Sequence, residues 1–248
     1  MRIGAQLYTV RDFCKSTDAL SETLSRIADI GYEYVQVSGT CPWEGEWLMK
    51  ELSKNGLRCV LTHIPKEKLI GESDKVLSEH KIIDCKYIGL GYHKFTDDKA
   101  VYDSFVDTYR PVAEKISAGG GYFMYHNHAS EFIKVDGMAV LDRLISDMPS
   151  DIFGFTLDTY WVKAGGEDPS EYLEKVSGRA PCIHLKDYGD DARMEALGEG
   201  MLDFDRIFYS AERSGVEYML VEQDNTNGDD PFACLGRSYD FLRSRGFR

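Results

Sequence analysis

The chain has 248 residues, 43% of them apolar, and carries a net charge of −13 with a pI of about 4.9. That is enough apolar material for one sizeable core, and the acidic balance argues against a phosphate backbone as partner, because like charges repel. No apolar run approaches the ~20 residues that span a bilayer, and no secretory apolar region follows the N-terminus, so a cytoplasmic protein with no membrane and no nucleic-acid partner is expected.

Short apolar runs alternate with helical patterns along the whole chain. A first strand is expected over Ile3–Tyr8. The helix after it, Asp18–Ile30, sets Leu20, Leu24, Ile27 and Ala28 on one face and stops at Gly31. Strands at Tyr34–Val37 and Arg58–Thr62 flank a helix at Trp47–Lys54 that ends near Gly56. The charged stretch Glu67–Lys81, helical from Lys75 to Ile83, reads as a solvated outer face with His80 at the surface. A fourth strand, Tyr87–Leu90, leads to a helix at Val101–Ile116, and Gly119–Gly121 reads as its stop. The fifth strand is Tyr122–Tyr125, and a helix at Met138–Met148 is expected with Asp136 as N-cap. The sixth strand, Ile152–Leu157, precedes a helix capped by Asp168 with Pro169 in its first turn. A seventh strand at Cys182–Leu185, a helix at Phe204–Ser214, an eighth strand at Tyr218–Val221 and a last helix at Phe232–Arg243 complete the series.

Eight strand–helix units with no Pro- or Gly-rich linker predict an α/β fold: a single (β/α)8 TIM barrel over residues 1–248. No G-x-G-x-x-G follows any strand, which counts against a dinucleotide-binding sheet. The six cysteines form no C-x-x-C pair, and Cys59, Cys85 and Cys182 sit in apolar runs as small buried hydrophobes.

In such a barrel the active site gathers at the C-terminal ends of the strands. The polar residues at those ends are Gln6 and Tyr8, Gln36 and Ser38, His63, Tyr92 and His93, His126 and His128 with Glu131, Asp158, His184 with Lys186, and Glu222. Burying so many ionisable groups costs several kcal/mol each unless they pair or hold a metal. Carboxylates and imidazoles suit Mn, Mg, Zn or Co. An ion so held polarises a carbonyl or grips two adjacent oxygens of a sugar, and a nearby base then removes a proton beside that carbonyl to give a metal-stabilised enediolate. Blander readings stand beside this one. His184 is compatible with a satisfied core histidine, Asp158 with a helix cap, and Glu222 with an ordinary ion pair. Lys186 and Asp187 read equally as a surface ion pair or a substrate contact. Tyr160 and Trp161 read equally as mouth packing or a sugar-stacking platform.

Several segments together resemble the sugar phosphate isomerase/epimerase proteins of the xylose-isomerase-like TIM-barrel superfamily. They are Gln6-Leu-Tyr-Thr-Val-Arg-Asp12, Gly31-Tyr-Glu-Tyr-Val-Gln-Val-Ser-Gly39, His126-Asn-His128 with Glu131-Phe132, Asp158-Thr-Tyr-Trp161, His184-Leu-Lys-Asp187, Gly198-Glu-Gly-Met-Leu-Asp-Phe204 and Val221-Glu222. The superfamily includes inosose dehydratase, tagatose epimerase and endonuclease IV. The resemblance covers essentially the whole chain, and it implies one divalent ion, often Mn, with Zn, Co or Mg as alternatives. Asp158, His184 and Glu222 match three of its ligands. The first ligand, a glutamate on the fifth strand in the epimerases, is replaced here by His126, with Glu131 five residues on. Charge favours Glu131 as that ligand; the alternative puts His126 there and Glu131 on the substrate. This departure also puts the two-glutamate proton shuttle in question and makes His126 or His128 a candidate base. Glu131, Glu222 and Lys186 complete the expected catalytic set. Gln6, Tyr8, Gln36, His63 and Trp161 are the expected substrate contacts.

Leu197-Gly-Glu-Gly200 lies where such barrels bind phosphate, but Glu199 would repel one, so an unphosphorylated sugar, inositol or keto-glycoside is expected. The leading expectation is a metal-dependent isomerase or epimerase of a sugar or polyol. A dehydratase or 3-keto-glycoside lyase on the same metal site comes next, then a non-catalytic sugar-binding barrel subunit. Abasic-site DNA cleavage fits poorly with the acidic surface. A homo-oligomer is compatible with the resemblance, and no segment declares an interface.

Overall fold

The computed structural model describes residues 1–248. Eight parallel strands close in sequence order: β1 (Arg2–Gln6), β2 (Tyr34–Val37), β3 (Arg58–His63), β4 (Tyr87–Leu90), β5 (Tyr122–His126), β6 (Phe153–Asp158), β7 (Cys182–Leu185) and β8 (Tyr218–Val221). β8 closes on β1 with Arg2 opposite Tyr218 and Ala5 opposite Val221. This is the expected TIM barrel.

Strand alternation sorts the side chains. Phe153, Phe155 and Leu157 of β6, with Ile183 and Leu185 of β7, point outward into the apolar layer between barrel and helices. The inward set is apolar at the bottom, where Val60, Tyr87, Met124, Cys182 and Leu220 pack together. Two residues further along each strand, Met124 gives way to His126, Cys182 to His184 and Leu220 to Glu222. The bottom plug is tight. A Cβ at Gly154 would lie 2.6 Å from the Arg179 carbonyl oxygen and would meet the Tyr122 ring, so only glycine fits there.

Most helix ends follow their caps. Ser16 accepts from the Ala19 N–H, Asp168 from Ser170 and Glu171 ahead of the helix Pro169–Lys175, and Asp203 from Arg206. No helix is long and apolar enough to cross a membrane.

Four local expectations are corrected. The first strand stops at Gln6, because Leu7–Phe13 turns into a 3-10 segment. The helix expected from Met138 starts at Val140, and Asp136 does not cap it. Asp136 and Gly137 both take positive φ and turn a small hairpin between Lys134–Val135 and Met138–Ala139, the behaviour of Asp-Gly between short strands. Glu67–Lys81 is not one solvated face but two helices, Lys66–Gly71 and Ser73–Ile82. His80 is buried rather than at the surface, its Nδ1 2.7 Å from the Val76 carbonyl and its Nε2 2.7 Å from the Thr62 hydroxyl.

Candidate metal centre and cavity

Register brings the ends of three strands to one level. Asp158 lies directly opposite His184, and His184 opposite Leu220, so Glu222 projects two residues above Leu220 on the same inner face. His126 ends β5 beside them. One ligand atom from each of His126, Asp158, His184 and Glu222 falls within 4.8 Å of the other three, and all four residues are buried.

Hydrogen bonds outside the cluster fix the imidazole tautomers. His126 Nδ1 lies 3.0 Å from the Gly91 carbonyl, which can only accept, so that nitrogen carries the proton and Nε2 presents a lone pair. His184 Nε2 lies 2.6 Å from Gln36 Oε1, so its Nδ1 presents the lone pair. The two lone-pair nitrogens are 3.1 Å apart. Asp158 Oδ2 lies 3.1 Å from His126 Nε2, and Glu222 Oε2 lies 2.9 Å from His184 Nδ1. Four acceptor atoms therefore face one another with no proton assigned between them. Lys186 reaches both carboxylate oxygens, but the two bare ring nitrogens still face each other, and a divalent cation or a proton taken up by one ring relieves that repulsion. The His184 shift expresses this need: burial opposes its charged form, but Glu222 and Asp158 overcome burial and raise its pKa. Two nitrogens and two carboxylate oxygens are a donor set for a divalent ion, and the residues fit one.

Lys186 completes the charge pattern. Its ammonium is buried, 3.1 Å from Asp158 Oδ2, 2.8 Å from Glu222 Oε2 and 2.9 Å from Asp224 Oδ2. Burial opposes ionisation of Asp158 and Glu222, yet Lys186 and the histidines hold both carboxyls well below the usual range. Asp224 goes the other way, pushed up to about 6 by burial and by Glu222. Three carboxylates against one ammonium leave two negative charges, which a divalent ion would neutralise.

Asp158 caps a helix and faces the cluster at once. Its Oδ1 accepts from the Trp161 N–H at 3.0 Å and caps the helix Thr159–Ala164, while Oδ2 faces the cluster. Its own N–H donates to Asn127 Oδ1 at 3.0 Å, tying β6 to the loop after β5.

Glu131, expected as the first ligand, lies outside the group of four facing side chains. It is fully buried outside the cluster, accepting from the Tyr125 hydroxyl, the Ser130 hydroxyl at 2.7 Å and the His128 N–H at 3.0 Å. Tyr125 points outward, against Phe105 and Phe153, and Glu131 is drawn to that layer. His126 takes the fourth place instead.

A cavity of about 620 Å³ opens above the cluster. Tyr8, His63 and Trp161, expected as substrate contacts, line it together with His126, His128, Lys186 and Glu222. Gln6 and Gln36 are fully buried and do not reach its wall. Gln36 orients His184, and Gln6 accepts from the Tyr8 N–H at 3.3 Å. Burial, then the neighbouring His126, depresses His63 well below the normal histidine range and His128 to about 3. Burial and His184 likewise lower His126. The first two therefore present neutral imidazoles to the cavity at pH 7.

Asp187 is no surface ion pair either. Its carboxylate accepts from the N–H groups of Tyr188, Gly198, Gly200 and Leu202 at 2.8–3.2 Å. The glycine loop after β7 thus wraps an internal carboxylate.

The model of the xylose isomerase-like TIM barrel family matches residues 24–245. The chain belongs to this family. Among curated proteins, an inosose dehydratase of Geobacillus thermodenitrificans is 24% identical over 170 residues, covering 60% of this chain and 55% of the relative. The chain thus matches about half the length of that relative. Among solved structures, a sugar phosphate isomerase/epimerase from Parabacteroides distasonis superposes with a TM-score of 0.84 at 20% identity, covering 98% of this chain and 93% of the other. A probable 3-DHS dehydratase from Bacillus anthracis gives 0.79 at 13% identity, covering 99% and 100%. At these identities the structural likeness shows the fold.

Asp224 and Arg11 are among the cavity residues of this family member that the sequence did not single out. Asp224 shares the parity of Glu222 two residues beyond it, a signal that inner-face alternation offered. Arg11 comes from the 3-10 segment after β1, packs over the Tyr8 ring at 4.4 Å and donates to the Asp224 carbonyl at 3.0 Å. No local pattern marks it.

Proposed function

We propose that this protein moves a proton at a carbon beside a carbonyl of a sugar or polyol, with one divalent ion, Mn first, held by His126, Asp158, His184 and Glu222. The observation that carries the reading is the set of four mutually facing acceptor atoms at the floor of a cavity. When bound, the ion would polarise the substrate carbonyl. Lys186 holds Asp158 and Glu222 in orientation and offsets part of their charge. His128 and His63 offer lone pairs at the cavity wall for the proton, now that His126 belongs to the donor set. Trp161 and Tyr8 offer aromatic surface to a sugar ring. The substrate is unphosphorylated in this reading, because Asp187 already occupies the glycine-loop N–H groups that would cradle a phosphate.

Isomerisation or epimerisation is the leading outcome, in keeping with the isomerase/epimerase relative. The displacement of Glu131 favours a second outcome, elimination in a dehydratase or keto-glycoside lyase. That chemistry needs one base and a proton for the leaving group, not two carboxylates working in turn. The test is elemental analysis of purified protein, followed by a screen of sugars, inositols and keto-glycosides in deuterated water. About one divalent ion per chain, lost in His126→Ala and Asp158→Ala, supports the reading. A deuterated product of unchanged formula marks an isomerase or epimerase, and release of water or an aglycone marks a lyase. No metal after reconstitution and no turnover would leave a sugar-binding subunit as the better account.

A further inference from the structure

A second cavity, of about 340 Å³, lies beside the first at the β2–β3 edge of the barrel mouth. Ser38, His63, Ile64 and Pro65 form wall in both cavities. His63 is fixed between them by its Nδ1, 3.3 Å from the Ser38 hydroxyl, and by stacking on His126 at 5.3 Å. Its Nε2 is buried with no partner. Each cavity falls in the size range of small-molecule sites, ~300–1,000 Å³.

The lining of the second cavity fits a ring rather than an ion. Half-buried Trp43 supplies aromatic surface there, and its indole is 6.2 Å from the His80 ring. Its charged lining is mixed, Glu44, Glu72 and Glu79 against Lys68 and Lys75, with one negative charge in excess. Lys75 lies 3.8 Å from Glu44, and Glu79 is bonded to the Gly45 N–H. Lys68 stands with Glu72 on the same rim. No excess positive charge awaits a phosphate, and no convergent set of acceptors awaits a metal. A neutral ring with polar edges suits such a wall.

From the shared wall we infer that the substrate is a glycoside of two joined rings. The reacting sugar lies over the metal cluster, and its partner ring lies in the second cavity against Trp43. This inference rests on the sugar-directed reading above and adds the substrate's size and the place of its second unit.

The experiment measures binding to the metal-loaded protein by calorimetry, with D-glucose, methyl glucoside, phenyl glucoside and cellobiose as probes. The expected result is that phenyl glucoside or cellobiose binds at least tenfold tighter than glucose and methyl glucoside. Trp43→Ala should remove that advantage and leave the single-ring probes unchanged. Preference for cellobiose assigns the second ring to a sugar, and preference for phenyl glucoside assigns it to an aromatic aglycone. Because Trp43 also packs on the core, Cys41→Phe, which fills the same cavity from another side, should show the same selective loss. Equal affinity for one-ring and two-ring probes overturns the inference, as does binding of no probe, or a loss in the variants that touches all four probes equally. If single-ring sugars bind and the ion is retained while two-ring probes gain nothing, this inference fails and the proposed function stands. Loss of the ion itself counts against that function instead.

Discussion

Replacing Glu131 with glutamine separates a ligand from a structural carboxylate. Glu131 is fully buried and accepts from Tyr125, Ser130 and the His128 N–H. Glutamine keeps one acceptor oxygen and turns the other into a donor facing groups that also donate. A hydrogen bond to a charged group contributes ~1.5–3 kcal/mol, and a buried donor left unpaired costs ~1–3 kcal/mol. With partial rescue by hydroxyl rotation, the expected loss is about 2–4 kcal/mol. At ~2–4 °C per kcal/mol for a chain of this size, Tm should fall by about 5–15 °C. Metal stoichiometry should not change, since Glu131 is outside the donor set. The assay is calorimetric Tm together with elemental analysis of the same folded sample, and Tyr125→Phe serves as a milder companion. A Glu131→Gln protein that melts like wild type but has lost its ion would refute the reasoning and restore Glu131 as first ligand.

Gln36→Leu removes the acceptor that sets the His184 tautomer. Metal affinity should drop ~10–100-fold, the usual cost of losing such support, as read by competition with a chelator. His80 should make the protein acid-sensitive. Burial depresses it from 6.5 to about 4, so the unfolded chain binds more protons between those values and stability rises with pH across that window. About 3 kcal/mol should be lost on acidification from pH 7 to below 4. Denaturant titrations of His80→Gln should show a lower plateau at pH 7 and a shallower loss below 6.5, and an identical slope would remove His80 as the cause. Asp187→Ala frees the Tyr188 N–H and three N–H groups of the loop around Gly198–Leu202. Proteolysis should cut there first, and stability should fall by about 2–4 kcal/mol. Wild-type cleavage patterns would show that the loop is held by something else.

The barrel was legible because its signals repeat. Eight apolar runs at regular spacing and strand-end polar residues of fixed parity place Asp158, His184 and Glu222 at one level from the sequence alone. Glu131 misled because charge is visible in a sequence and side-chain direction beyond a strand end is not. His126 continues the inward parity of Met124, and that rule, applied without regard to charge, selects it. The 3-10 segment at Leu7–Phe13 breaks the alternation, so the arrival of Tyr8 and Arg11 at the cavity follows from backbone geometry that no periodicity encodes. His80 looked solvated because its neighbours are charged. Its burial depends on Thr62 from β3, a contact between elements distant in sequence.

The same carboxylate at the end of β6 explains why the barrel tolerates so much buried charge. Asp158 must stop a strand, start a helix and face the cluster, and it does so by giving one oxygen to each side. Oδ1 is engaged by the Trp161 N–H, which pins the carboxylate plane and aims Oδ2 at His126 and Lys186. His184 is pinned from behind by Gln36, and His126 by the Gly91 carbonyl. Three of the four members are thus oriented by a bond directed away from the cluster, and Glu222 is held by Lys186 at 2.8 Å. The cost of holding four acceptors together is met by the fold itself. A site assembled this way could take up a divalent ion with little rearrangement, and its weak points are the outer bonds as much as the four facing side chains.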